Sequence, residues 1–213
     1  MIEFLMKGGP VMVPIGLAAL IGMFTFFERL WALRRGAVMP RGFCVELEDL
    51  MRQARWDDGR TLCRKNASSI AGIMEVAVAW HGEGRDRLKE RLEEAGRREA
   101  AALERYTGIL GIVASVAPLL GLLGTVWGMI LTFDVIQEVG VGVVSSLAGG
   151  ISQALITTFA GLTVGIPALI AHRYLLSRAD ELLLEMEGYS IDMLELVAGR
   201  EPAEPDGQGG RTP

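Results

Sequence analysis

The sequence predicts an all-α integral membrane protein with three transmembrane helices, two of them extended into the cytoplasm. Three observations lead there. Half of the 213 residues are hydrophobic while 22% are charged, so the charges must be segregated along the chain. Stretches free of Asp, Glu, Lys and Arg run from Gly8 to Phe27, from Tyr106 to Phe133 and from Val139 to His172. A helix rises about 1.5 Å per residue and needs about 20 apolar residues to cross the hydrocarbon, so each stretch is long enough. Finally, of 21 lysines and arginines only Lys7 precedes the first stretch and none falls between Asp134 and Val143. All the others lie on one side, which the positive-inside rule makes the cytoplasm.

The elements follow in order. Residues 1–31 form an outer end and the first span, with the N-terminus outside and the C-terminus in the cytoplasm. Only Lys7 stands ahead of this span and no small-residue cleavage site follows it. It runs into Phe26-Phe27-Glu28-Arg29-Leu30-Trp31, an interfacial anchor, so it reads as a retained span and not as a cleaved leader. Residues 32–106 are a polar, helical cytoplasmic segment. Phe43, Val45, Leu47, Leu50, Met51 and Ala54 give one amphipathic stretch, followed by a turn expected at Trp56-Asp57-Asp58-Gly59 and a break at Gly82-Glu83-Gly84. From Arg85 the spacing of Leu88, Leu92, Ala95 and Leu103 predicts one helix continuing to Phe133, about 70 Å long.

The second span is residues 107–133, a short periplasmic connection covers 134–146, and the third span is 147–172. A cytoplasmic helix, 173–198, keeps Leu175, Leu176, Ala179, Leu182, Leu183, Met186 and Tyr189 at helical intervals, which predicts packing against the Arg85–Arg105 helix. The tail, 199–213, is rich in Pro, Gly and Glu and is expected to be disordered.

Enzyme chemistry finds no footing. There is no nucleophile with a base, no Gly-rich phosphate loop and no HExxH, so no catalytic residue is assigned, and no cofactor. His81 and His172 lack acidic or thiol companions at ligand spacing, so no metal is expected. Cys44 and Cys63 fall in the cytoplasmic segment and are expected to be free thiols. Acids and bases are intermixed with no basic patch, which gives no sign of nucleic-acid binding.

The two later spans carry the informative pattern. Gly121 with Thr125, and Gly124 with Gly128, are small pairs four residues apart; the third span repeats the device in Gly150, Ala154, Thr158, Gly161 and Gly165. In lipid such pairs let helix backbones approach closely. Pro118 and Pro167 free carbonyls and predict bends. Tight packing accounts for the glycines, but less readily for Ser152, Gln153, Thr157, Thr158 and Thr163 gathered in one span. Polar side chains in a span usually face a bundle interior or a water-filled path. Thr125 and Thr158 fall within about one turn of each other in height, yet no Asp, Glu, Lys or His stands mid-span. A proton pathway through this chain therefore requires a titratable group from elsewhere.

Ala117-Pro118-Leu119-Leu120-Gly121-Leu122-Leu123-Gly124-Thr125-Val126-Trp127-Gly128-Met129 resembles the MotA/TolQ/ExbB proton channel signature. So do Gly150-Ile151-Ser152-Gln153-Ala154-Leu155-Ile156-Thr157-Thr158-Phe159-Ala160-Gly161-Leu162, Ile166-Pro167-Ala168 and the Glu28-Arg29 pair. Three spans with the large cytoplasmic segment between the first two resemble the ExbB/TolQ branch. The resemblance implies a homo-pentamer around two copies of an ExbD- or TolR-like single-span partner whose membrane Asp carries the proton. Proton flow would drive rotation and deliver work through a TonB- or TolA-like protein. It further implies that Thr125, Thr158, Gln153 and Thr157 face the pathway or the partner. Gln153 stands where ExbB and TolQ resemble each other in having Glu. The alternative is a non-conducting membrane scaffold that assembles partner proteins.

Overall fold

The computed structural model describes residues 8–139 and 144–198, and among them it is helical throughout, with no strand. The expected outer end before Gly8, the centre of the expected periplasmic connection and the expected disordered tail lie outside the described residues. Among the described residues, eight helices follow in order: α1 Met12–Ala32, α2 Arg35–Val38, α3 Arg41–Arg52, α4 Trp56–Lys65, α5 Ser69–Ala79, α6 Arg85–Glu104, α7 Thr107–Val139 and α8 Val144–Ala198. Among the described residues, three helical stretches are long and apolar enough to cross a membrane: Met12–Ala32, a run within Arg85–Gln137 and a run within Ala148–Ala198. The chain is an all-α membrane protein.

The expected single helix from Arg85 to Phe133 is interrupted. Arg105 and Tyr106 form a two-residue turn between α6 and α7, and the amide of Ile109 bonds the Tyr106 carbonyl at 3.2 Å. The guanidiniums of Arg29 and Arg105 both lie over the Tyr106 ring, 5.0 and 5.1 Å from its centroid. No glycine or proline stands within the turn itself; Gly108, two residues beyond it, is the nearest, and the apolar spacing does not show the break. The turn expected at Trp56 to Gly59 sits a few residues earlier. Ala54 takes a left-handed backbone (φ 57°), and Trp56 opens α4 with Asp57 and Asp58 in its first turn, where carboxylates meet the positive end of the helix dipole.

The chain divides into two compact units. One comprises the residues up to Ala32 together with Glu104–Arg178, and the other Leu33–Leu103 with the residues from Ala179. In the second unit Leu47, Met51, Ile73, Met74, Leu88 and Met186 are buried to 2% exposure or less. Each such side chain contributes about 1.5–3 kcal/mol of apolar burial. The amphipathic pattern of α3 is borne out at Phe43, Leu47 and Met51, while Val45 points outward, 61% exposed. Leu92 and Gly96 of α6 line a groove together with Leu183 and Met186 of α8. The i,i+4 pairs along α6, such as Lys89 with Glu93, are exposed and contribute only a few tenths of a kcal/mol each.

Both cysteines are free and buried in this second unit. The hydroxyl of Tyr189 donates to the Cys44 carbonyl at 2.9 Å, tying α8 to α3. Burial pushes the Cys63 thiol from 9.0 up to about 12, with the nearby Glu75 carboxylate adding to the effect. A thiol whose folded pKa is raised stabilises the fold below its unfolded pKa, and that contribution is lost as pH rises toward the folded value. Helicity of this unit is therefore expected to weaken from about pH 9 toward about 12. Cys63 should resist maleimide at neutral pH until the protein is denatured. An equal alkaline loss in Cys63→Ala, followed by circular dichroism, would contradict this assignment.

Candidate functional site

The polar and small residues singled out in the two later spans meet along one antiparallel seam between α7 and α8. Its spacing is set by backbone, not by side chains. A methyl group added at Gly161 would lie 2.5 Å from the Ala117 carbonyl oxygen and 2.9 Å from Gly121 Cα. One at Gly121 would lie 3.0 Å from the Thr157 carbonyl oxygen and 3.1 Å from Thr158 Cα. Towards the end nearer Val139, a methyl group at Gly128 would lie 2.8 Å from the Gly150 carbonyl oxygen and 3.0 Å from Ala154 Cβ; towards the other end, one at Gly165 would lie 2.6 Å from Pro118 Cγ. Gly124 leaves room for the Thr157 side chain and Gly150 for the Thr132 hydroxyl. Thr132 was not visible as a seam residue in sequence, although its four-residue spacing from Gly128 was available as a signal. Pro118 and Pro167 both lie inside continuous helices.

The four polar residues expected to face a partner have different surroundings. Thr158 is partly exposed, and its hydroxyl donates across the seam to the Gly121 carbonyl at 3.2 Å. Thr125, one turn along α7 from Gly121, is also partly exposed and donates to Leu122 of its own helix at 2.6 Å. Gln153 is half-buried, with its side-chain amide against Gly9, which has a left-handed backbone (φ 71°) that L side chains rarely adopt. Thr157 departs from the expectation. It is fully buried in the seam against Gly124, and its hydroxyl donates to the Ala154 carbonyl at 2.8 Å. With its polar atom satisfied inside the protomer, it offers no surface to another chain.

Thr163 and Ser115 also donate to carbonyls of their own helices, at 2.7 and 2.8 Å, which removes them as unsatisfied polar groups in lipid. At the opposite end from Val139, His172 does have a partner: its Nδ1 lies 3.0 Å from the Thr107 carbonyl, and its ring occupies the notch left by Gly111. This role escaped the sequence because the histidine and the start of α7 are 65 residues apart. The Arg29 guanidinium donates to both carboxylate oxygens of Glu28, at 2.6 and 2.7 Å, so this pair closing α1 is internally neutral. Among the described residues no cluster of three or more His, Cys, Asp or Glu is placed to hold a metal ion.

The model of the MotA/TolQ/ExbB proton channel family matches residues 65–188, which include the whole seam. The chain belongs to that family. It is also 30% identical over 214 aligned positions to a Synechocystis protein named for its likeness to the biopolymer transport protein ExbB, an alignment covering 95% of this chain and 82% of that one. The biopolymer transport protein ExbB of Xanthomonas campestris is 32% identical over 107 residues, covering 50% of this chain and 42% of that protein. The Tol-Pal system protein TolQ of Haemophilus influenzae is 40% identical over 86 residues, covering 40% and 38% respectively.

Proposed function

We propose that this chain is the inner-membrane subunit of an ExbB/TolQ-type machine driven by the proton-motive force. Five copies enclose two copies of an ExbD- or TolR-like single-span protein, whose membrane aspartate carries the proton. The observation that carries this reading is the placement of two partly exposed hydroxyls, Thr125 and Thr158, beside a rigid backbone seam in spans with no carboxylate of their own. The partner's aspartate, when protonated, tolerates an apolar wall; when ionised, it is drawn to these hydroxyls and their water. Alternation between the two states biases rotation, and a TonB- or TolA-like protein carries the work onward. The N-terminus is periplasmic and the C-terminus cytoplasmic.

Of the four expected pathway residues, Thr125 and Thr158 keep that role in the proposal. Gln153 is close enough in height to assist through water, and Thr157 supports the seam from within. The amide at Gln153, where related proteins resemble each other in a carboxylate, favours one competing reading: a scaffold that assembles partners without conducting.

The native mass of the detergent-purified protein, co-expressed with a single-span partner bearing a membrane aspartate, tests the assembly. A pentamer retaining two partner copies is expected. A monomer or dimer with no partner bound would overturn the proposal. A full assembly that passes no protons in vesicles would favour the scaffold.

A further inference from the structure

A second feature of the membrane unit lies away from the seam. Residues of α1, α7 and α8 line a groove of about 600 Å³, with Gly22, Phe26, Val113, Pro167, Ala168 and Tyr174 among its walls. Gly22 sets its depth: a methyl there would lie 3.2 Å from Val113 Cγ1, so α1 sits tight on α7 and leaves a channel toward α8. The lining is apolar apart from Thr163, whose hydroxyl is already bonded to Phe159, and the Tyr174 phenol. The groove is open, since Met23, Ile170 and Tyr174 on its rim are more than half exposed.

Its ends are not alike. One turn beyond Phe26 on α1 stands Arg29, one turn before Leu110 on α7 stands Tyr106 with Arg105 over its ring, and Arg173 adjoins Tyr174 on α8. Arg29 is neutralised by Glu28. Arg105 and Arg173 have no carboxylate partner among the described residues. An apolar channel in a membrane span, with two arginines that lack a carboxylate partner carried just before the start of α7 and on the adjoining stretch of α8, where His172 meets Thr107, matches the chemistry of one acyl chain and one anionic headgroup.

We infer that this groove is a site for an anionic phospholipid, with an acyl chain between α1 and α8 and its phosphate at Arg105 and Arg173. The inference does not depend on proton conduction, and its readout is lipid binding to the intact protein. The test places the protein in phosphatidylcholine vesicles containing a minority of phosphatidylglycerol, with the photoactivatable acyl chain on one lipid or the other, and maps the cross-linked residues. Cross-links are expected on groove residues, with labelling from phosphatidylglycerol exceeding that from phosphatidylcholine. Arg105→Gln and Arg173→Gln should each reduce that preference about fivefold, from the usual attraction of one arginine to an anionic surface. Ala168→Trp, which fills the groove, should remove the cross-link; the two arginine variants keep the test decisive if this one fails to fold. Equal labelling from both lipids, or labelling spread over the exposed faces of α1 and α8 in proportion to exposure, would overturn the inference. So would a cross-link from Ala168→Cys to a second copy of the chain, which would make the groove a subunit contact.

Discussion

Gly161→Val is expected to leave little stably folded membrane unit, with a loss of about 3 kcal/mol or more, at the upper end of what overpacking costs. The reason is what a side chain at that position meets. Even a methyl group would stand 2.5 Å from the Ala117 carbonyl oxygen and 2.9 Å from Gly121 Cα, and neither is the movable end of a side chain. Relief requires the two helices to separate. In water a displaced apolar contact is partly offset by other burial, but in lipid the hydrophobic effect does not hold helices together, so lost packing is lost association. Gly161→Ala should show a smaller loss of the same sign. Gly149→Ala is the control, because a methyl there meets nothing within 4 Å, and removing a helical glycine should be neutral or mildly stabilising. Thermal unfolding in detergent measures the series. A Gly161→Val protein melting with the wild type would show that the seam does not hold the helices at this distance.

Thr158→Val is expected to behave in the opposite way, with stability almost kept and proton flux lost. The Thr158 hydroxyl makes one cross-helix bond, 3.2 Å to the Gly121 carbonyl, at the long end for such a bond. Polar contacts between membrane helices average about 0.6 kcal/mol, so the fold should barely register its removal. A hydrogen bond to an ionised carboxylate contributes more, about 1.5–3 kcal/mol, which corresponds to roughly a tenfold or greater fall in flux if Thr158 receives the partner's aspartate. Thr158→Ser should restore most of it. Thr125→Val should cost less, because that hydroxyl is held at 2.6 Å by its own helix and is less free to turn outward. Flux is read with a pH-sensitive dye in vesicles containing the subunit and its partner. Unchanged flux in Thr158→Val would remove this residue from the pathway.

Much of the architecture was legible because a bilayer imposes a coarse code. The runs without charge at Gly8 to Phe27, Tyr106 to Phe133 and Val139 to His172 correspond to α1, α7 and the first half of α8, since a charge in hydrocarbon is too costly to scatter. The small residues of the seam were legible for a related reason: close approach of two helices in lipid leaves a glycine repeat. What periodicity did not separate was which threonine on such a helix is packed and which is open. Thr157 and Thr158 are adjacent in sequence, about 100° apart around α8, and one is fully buried while the other is partly exposed. Likewise the turn at Arg105-Tyr106 carries no breaker residue, and it is accompanied by two arginines over one ring, one of them from α1.

By itself, then, the sequence determined the all-α class, the three membrane spans, the glycine-lined helix pair and the family, because each is written in local composition, short spacing or motif. Only the tertiary structure decided that Thr157 is internal, that the Gln153 amide rests on Gly9, that His172 holds the start of α7, and that α1 leaves a groove beside α8. Those facts depend on which residues, tens of positions apart, are brought face to face, and a one-dimensional pattern carries the phase of a helix only to within a residue or so.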